Sequence, residues 1–335
     1  MRDLTPLPLQ PADVPWPTQR WPEGDRRPDG LATLADEIFG LPETQSVSYA
    51  LLVIHRGRLV YERYAAGANR GYLQYSWSMA KSVTHALVGI LVGQGRLDIT
   101  APAPVPEWQG DARAEITLDQ LLRMSSGLEF AEDYYDGGAS DVIPMLFGEG
   151  RFDTGTYAAD KPLAHPPDSV WSYSSGTTNI ICRILRDVIG NGPSGMLDFM
   201  HEELFDPLGM RTPTPRFDRS GTFVGSSFLL ATPQDFARFG LWYLRDGFWE
   251  GRQRLPEGWV DYARTPTHLD SANGYGAHFW IDPDNPERFY CSGYDGQRIL
   301  MAPTQDLVIV RCGRTPEGHA PAVFDRVNAI VDLGW

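Results

Sequence analysis

A chain of 335 residues with 42% hydrophobic and 21% charged side chains has the composition of a soluble globular protein, long enough for one large domain or two or so smaller ones. A formal net charge of −14 and the absence of any basic run exclude nucleic acid as an expected partner, because affinity for a phosphate backbone rests on clustered Lys and Arg. Three widely spaced cysteines, Cys182, Cys291 and Cys312, fit neither a disulfide framework nor a CxxC metal site, so reduced thiols and no metal or cofactor are expected.

Seven prolines in residues 1–30 preclude regular helix there, and Trp16 and Trp21 suit either an extended arm lying on the body or a loose tail. This start has no apolar h-region, and the longest strictly apolar run, residues 86–93, is too short to cross a bilayer. A cytoplasmic location without membrane attachment is the expectation. Residues 46–65 alternate on either side of Arg56-Gly57, as a hairpin does. From Met79 to Val92 the period changes: positions 83, 86, 87, 90 and 91 repeat at helical spacing, and Gly93 and Gly95 end the pattern. Between Ile116 and Leu208, shorter helical patterns at 118–124, 174–190 and 195–205 alternate with Gly-, Pro- and Asp-rich loops. Thr232 and Pro233 open an amphipathic helix that runs to 246. Strands at 275–282, 287–292, 296–302 and 306–312 follow, antiparallel because their turns are short, and then a helix near 321–332. The expected division is an arm (1–30), an α/β part (about 31–110 and 220–335) and a mostly helical insert (about 111–219).

The chain holds 27 arginines and only two lysines, Lys81 and Lys161. Ser78 and Lys81 lie three residues apart at a predicted helix start, which puts a hydroxyl and an amine on one face within hydrogen-bonding reach. A serine hydroxyl needs a base to become a good nucleophile; a lysine whose pKa is lowered by burial can serve, and an arginine cannot. Ser78 would also have its backbone N–H unpaired at the positive end of the helix dipole. His85 is a rival base on the same face, but seven residues of rise, about 10 Å, put it out of direct reach, so a packed core histidine is expected. No GxSxG and no HExxH occurs. Two further segments are candidates: "VWSYSSGTTN" (170–179), where Tyr173 and Ser175 can point into one cleft, and "FYCSGYDGQ" (289–297), a strand end whose glycines admit a substrate close to the backbone.

Ser78-Met-Ala-Lys81, Tyr173-Ser-Ser175 and a Gly-containing strand, in that order, resemble the SxxK, YxN/S and KTG-like motifs of the serine beta-lactamase and penicillin-binding-protein superfamily. "YSWSMAKSVTHALVGILV", "LLRMSSGLEF", "LLATPQDFARFGLWYLRDG" and "GYDGQRILMAPTQDLVIV" are similar to its branch of 6-aminohexanoate-dimer hydrolases and class C-like carboxylesterases. The resemblance implies a mixed α/β (α+β), beta-lactamase/transpeptidase-like fold: an antiparallel sheet flanked by helices, with a mostly helical subdomain. It implies Ser78 as the acyl-forming nucleophile, Lys81 as its base and Tyr173 as the proton relay. Ser175 would replace the YxN asparagine, and the backbone N–H groups of Ser78 and Tyr294 would form the oxyanion hole, with Ser292 and Gly293 lining the substrate strand. Tyr134, with Tyr135 as competitor, matches a tyrosine that assists amide cleavage in the 6-aminohexanoate-dimer enzymes. Trp77 and Trp171 either line an apolar acyl pocket or pack in the core.

One position departs from the pattern. The KTG-like site reads Cys291-Ser292-Gly293, without the cation that many relatives use to hold a substrate carboxylate, and Arg298 is the candidate to replace it. Cys291 itself is expected to be a buried strand residue. The expected activity is hydrolysis of small carboxylic esters or non-peptide amides through an acyl-enzyme. The alternatives are beta-lactam or D-Ala-D-Ala substrates, or a non-catalytic binding protein on the same scaffold. The expected partners are a small-molecule ester or amide and, as a homodimer, a second copy of the chain.

Overall fold

The computed structural model describes residues 4–134, 140–270, 272 and 274–335. Its strands are β1 (Val47–His55), β2 (Arg58–Tyr64), β3 (Gln74–Tyr75), β4 (Thr214–Pro215), β5 (Leu229–Ala231), β6 (Phe248–Trp249), β7 (Arg252–Gln253), β8 (Trp280–Ile281), β9 (Phe289–Gly293), β10 (Gln297–Ala302) and β11 (Leu307–Arg314). The helices are α1 (Leu31–Phe39), α2 (Met79–Gly93), α3 (Leu118–Leu122), α4 (Val142–Phe147), α5 (Thr154–Ala159), α6 (Ser175–Ile189), α7 (Gly192–Met200), α8 (Asp206–Leu208), α9 (Pro233–Leu244), α10 (Trp259–Ala263) and α11 (Ala320–Val331). Six strands form one antiparallel sheet in the order β2-β1-β11-β10-β9-β8.

Both faces of this sheet are covered, which is why its central strands are apolar at consecutive positions rather than alternate ones. Leu51 and Val53 of β1 join Leu300, Leu307 and Ile309 in one core against Leu31, Ala35 and Ile38 of α1 and Val323, Val327 and Ile330 of α11. Ala50, Leu52, Ile54, Ile299, Val308 and Val310 face the other way, into the larger core with α2, α9 and the helical segment. Each Val, Leu or Ile among them contributes about 1.5–3 kcal/mol on burial. Gly240 lets α9 approach closely, since a Cβ there would lie 2.6 Å from the Ile299 side chain and 2.8 Å from that of Val308. Thr232 caps α9 by accepting from the Asp235 N–H, with Pro233 in the first turn.

Two expectations need correction. The strand predicted at 275–282 forms only a Tyr275–Trp280 bridge and the two residues of β8. Its backbone groups go elsewhere: Ala277 N–H donates to Ala263, His278 N–H to Leu122, and His278 adopts φ 56°, a left-handed turn that no regular strand tolerates. From the mostly helical region 111–219, β4 pairs with β5 in a second sheet, β3-β5-β4. The predicted helix 195–205 begins earlier, at Gly192, and widens into a π-turn over His201–Phe205. Residues 4–30 lie along the body: Leu59 N–H donates to Pro22, Trp21 is buried, Trp16 packs on Trp249, and Arg238 and Arg245 donate to the Pro17 and Pro8 carbonyls.

Candidate active site

The site is built where α2 begins, between the sheet and the helical segment. Ser76 N–H donates to the Leu229 carbonyl, the Leu229 N–H donates back to Ser76 Oγ, and Ser76 Oγ donates to the Trp77 carbonyl. These bonds hold Trp77 at φ 43°, a left-handed conformation costing a side-chain-bearing residue about 1–2 kcal/mol. The turn delivers Ser78 to the helix N-cap with its hydroxyl unused for capping. Gly293, at the end of β9, closes on this turn so tightly that a Cβ would lie 2.2 Å from the Ser76 carbonyl oxygen. Only glycine fits there, and its fit brings the backbone of Gly293-Tyr294, the expected oxyanion segment, alongside the start of α2.

Lys81 stands one turn along α2, 2% exposed. Its Nζ donates to Ser78 Oγ at 3.1 Å, to Ser175 Oγ at 2.9 Å and to the Ser226 carbonyl at 3.0 Å, all uncharged oxygens. Burial pushes the amine down to about 8, against the opposing charge of Glu132. Tyr173 brings its phenol within hydrogen-bonding reach of Ser78, and its ring centre lies 4.8 Å from Lys81 Nζ. Tyr275 and Trp280 clamp that ring, with centroids 5.9 and 5.4 Å away. Burial first, then Glu132, hold the Tyr173 phenol well above its usual range, so it stays protonated at neutral pH and Lys81 is the group within reach that can accept a proton.

Ser175, at the first turn of α6, follows the cap residue Ser174, whose side chain accepts from the Thr177 N–H. Its N–H and hydroxyl both donate to Glu132, through Oε2 at 2.7 Å and through Oε1, and the Tyr134 hydroxyl donates to the same Oε1 at 2.8 Å. Tyr134 stacks on Tyr294, which meets Trp77 edge-on. Ser292 and Gly293 line a neighbouring cleft of about 500 Å³ together with Glu132, Tyr134 and Tyr294. Ser78, Lys81, Tyr173, Ser175, Tyr134 and Gly293 therefore share one locality; Tyr135 lies outside the described residues.

Other candidates sit apart. Trp171 is half-buried against Tyr275 and Trp280, supporting the clamp on Tyr173. Arg298 shares the face of Leu300, toward α11, where its guanidinium lies over the Tyr290 and Phe324 rings at 3.9 and 3.3 Å. It is turned away from the site and does not supply the cation missing at the strand position of Cys291. Cys291 is fully buried, and burial pushes its thiol up to about 12. His85 is fully buried, bonded through Nδ1 to the Tyr243 hydroxyl at 2.8 Å and stacked on Trp259. Two participants carry no motif in the sequence: Glu132, one of 43 acidic residues, and the Ser226 carbonyl, a backbone group held where Ser226 N–H donates to Asn179 Oδ1. No group of three or more metal-ligating side chains occurs among the described residues.

An antiparallel sheet covered on both faces, with a helix that starts at its seam with a mostly helical segment and carries Ser78 and Lys81 there, defines the beta-lactamase/transpeptidase-like fold. The sequence agrees: residues 34–330 match the beta-lactamase family, and the chain belongs to that family. The 6-aminohexanoate-dimer hydrolase of Paenarthrobacter ureafaciens is 27% identical over 313 residues, 87% of this chain and 78% of that one. A Bacillus anthracis structure provisionally assigned as a 6-aminohexanoate-dimer hydrolase has TM-score 0.78 at 24% identity, covering 99% of this chain and 92% of its own. The penicillin-binding protein from Bacillus halodurans has TM-score 0.67 at 18% identity, over 90% of this chain and 99% of its own. No helix among the described residues is long and apolar enough to cross a membrane.

Proposed function

We propose that the protein is a serine hydrolase that forms an acyl-enzyme at Ser78 and cleaves small carboxylic esters or non-peptide amides. The observation that carries this reading is the buried Lys81 amine, lowered to about 8 and 3.1 Å from Ser78 Oγ. An amine in that state can take the Ser78 proton as the oxygen attacks a carbonyl carbon, which a positioned base accelerates by about 10²–10⁴-fold. Tyr173, protonated and next to both groups, then passes a proton to the leaving alcohol or amine. The N–H groups of Ser78 and Tyr294 receive the oxyanion, each contributing about 3 kcal/mol to the transition state.

The substrate class rests on separate support. Arg298 faces α11, so it does not replace the missing cation beside Cys291, which weighs against substrates held by a carboxylate at that strand position. Aromatic rings of Trp77, Tyr134 and Tyr294 pack on one another next to the turn that carries Ser78 and suit a neutral, largely apolar acyl or amide chain. The family relative from Paenarthrobacter acts, by its name, on a 6-aminohexanoate dimer. Assaying a p-nitrophenyl ester, a 6-aminohexanoate dimer and a chromogenic cephalosporin side by side tests the reading. Turnover of the ester or the dimer is expected to exceed that of the cephalosporin; a dominant cephalosporin rate overturns the substrate class.

A further inference from the structure

Glu132 has no part in the steps just described, yet it accepts three hydrogen bonds beside the nucleophile. Its effect follows from counting protons around Lys81. The Ser226 carbonyl can only accept, so it takes one N–H of Lys81. The Ser175 hydroxyl has a single proton, and that proton is directed at Glu132 Oε1, a carboxylate oxygen that cannot donate. Toward Lys81, Ser175 Oγ therefore presents a lone pair and takes a second N–H at 2.9 Å. A neutral amine has two N–H bonds and one lone pair. The N–H that the ammonium form donates to Ser78 Oγ is then the one lost on neutralisation, and the lone pair it leaves points at Ser78 Oγ, 3.1 Å away.

Without the carboxylate, the Ser175 proton would be free to turn onto the Lys81 lone pair. Lys81 would then present an N–H to Ser78, the wrong group for a base. We propose that Glu132 is a positioning residue of the acylation step: by taking the Ser175 proton, it aims the Lys81 lone pair at Ser78. This rests on the reading of Ser78 as nucleophile and Lys81 as base. In the step, the Ser78 O–H bond breaks and a Lys81 N–H bond forms while Ser78 Oγ bonds to the acyl carbon and the carbonyl electrons move onto its oxygen. When the tetrahedral centre collapses, Tyr173 gives its proton to the departing alcohol or amine and takes the added proton from Lys81, so both groups return to their starting states. Glu132 neither gains nor loses a proton. Its charge has a second consequence, since it opposes the lowering of Lys81 by burial.

The test is the pH dependence of Ser78 labelling by a small fluorophosphonate, followed by intact mass, in wild type, Glu132→Leu, Ser175→Ala and the double variant. Glu132→Leu is expected to lower the high-pH plateau of the labelling rate by about tenfold to a hundredfold, the cost of a misaimed reacting group. It should also move the acidic limb to lower pH, because the charge that favoured the ammonium is gone. Ser175→Ala keeps that charge, since Glu132 still accepts from the residue 175 N–H and from Tyr134. It should lower the plateau comparably without moving the limb downward. The double variant should label no more slowly than Ser175→Ala, because both changes act through one hydroxyl. A wild-type plateau in Glu132→Leu, or losses that multiply in the double variant, overturns the proposal. If Glu132→Leu does not fold, Ser175→Ala decides alone: a wild-type plateau overturns the proposal and a lowered one supports it. Wild-type protein that takes no label, or label that survives Ser78→Ala, overturns the underlying reading and this proposal with it. Normal labelling combined with an indifferent Glu132→Leu overturns the proposal alone.

Discussion

The two lysines of this chain occupy opposite surroundings. Lys161 is partly exposed, ion-paired to Asp141 and seated over the Tyr157 ring. Burial acts to lower its amine, but the hydrogen bond and charge of Asp141 outweigh it, and the amine is held above its usual range. Lys81 is fully enclosed and meets only uncharged oxygens, with Glu132 reaching it through Ser175, so burial wins and the amine falls to about 8. Burial is present at both sites. Deeper burial at Lys81 and direct contact with a carboxylate at Lys161 together separate a group that can lose its proton from a permanent cation.

The variant expected to break this contrast most is Lys81→Arg. It keeps the charge but cannot be deprotonated, so ester turnover should fall by at least about a thousandfold, the scale of a lost general base. Steady-state kcat/KM checks this, and activity within about tenfold of wild type would show that Lys81 is not the base. Next in size is Gly293→Ala. A Cβ 2.2 Å from the Ser76 carbonyl must push β9 off the turn that holds Ser78. The expected cost is about a hundredfold in kcat/KM, with about 1–3 kcal/mol of stability in chemical denaturation. A fully active Gly293→Ala would mean that the close approach does not set the site. The smallest effect belongs to Lys161. Lys161→Gln should lose no more than about 1 kcal/mol and leave kcat/KM within about twofold, since a partly exposed ion pair contributes little. A large loss of activity would instead tie the Asp141 contacts, which include the Ala131 N–H, to the segment carrying Glu132 and Tyr134.

What the sequence disclosed about these two sites follows from how local each signal is. The 79–92 periodicity, the alternation around Arg56-Gly57 and the strands from 287 onward depend on neighbours in the chain, and they reappear as α2, the β1–β2 hairpin, β9, β10 and β11. The Ser78-to-Lys81 spacing is likewise local, and the structure places the pair in contact. Helix α1 has a legible pattern, with Leu31, Leu34, Ala35 and Ile38 at helical spacing, but it follows directly on a proline-rich stretch that masks where it starts. The segment 275–282 misled for the opposite reason: its aromatic residues look like a strand, while its backbone bonds are made to Ala263 and Leu122, remote in sequence. Glu132, the Ser226 carbonyl and the Tyr275–Trp280 clamp had no spacing to reveal them, because tertiary packing alone brings them to Ser78 and Lys81. The outward turn of Arg298 follows from strand parity, which places it on the side of Leu300, but that parity has meaning only once the two sheet faces are known.

The central claim is that Lys81 must be neutral to activate Ser78, and the rate of Ser78 phosphonylation as a function of pH tests it most directly. Because burial lowers Lys81 to about 8, the neutral fraction grows as pH rises through that value and shrinks tenfold for each pH unit below it. The account predicts a labelling rate in wild type that climbs through a single ionisation near pH 8 to a plateau, and no adduct in Lys81→Arg. A rate flat between about pH 6 and 10, or labelling of Lys81→Arg at a rate close to wild type, would contradict it.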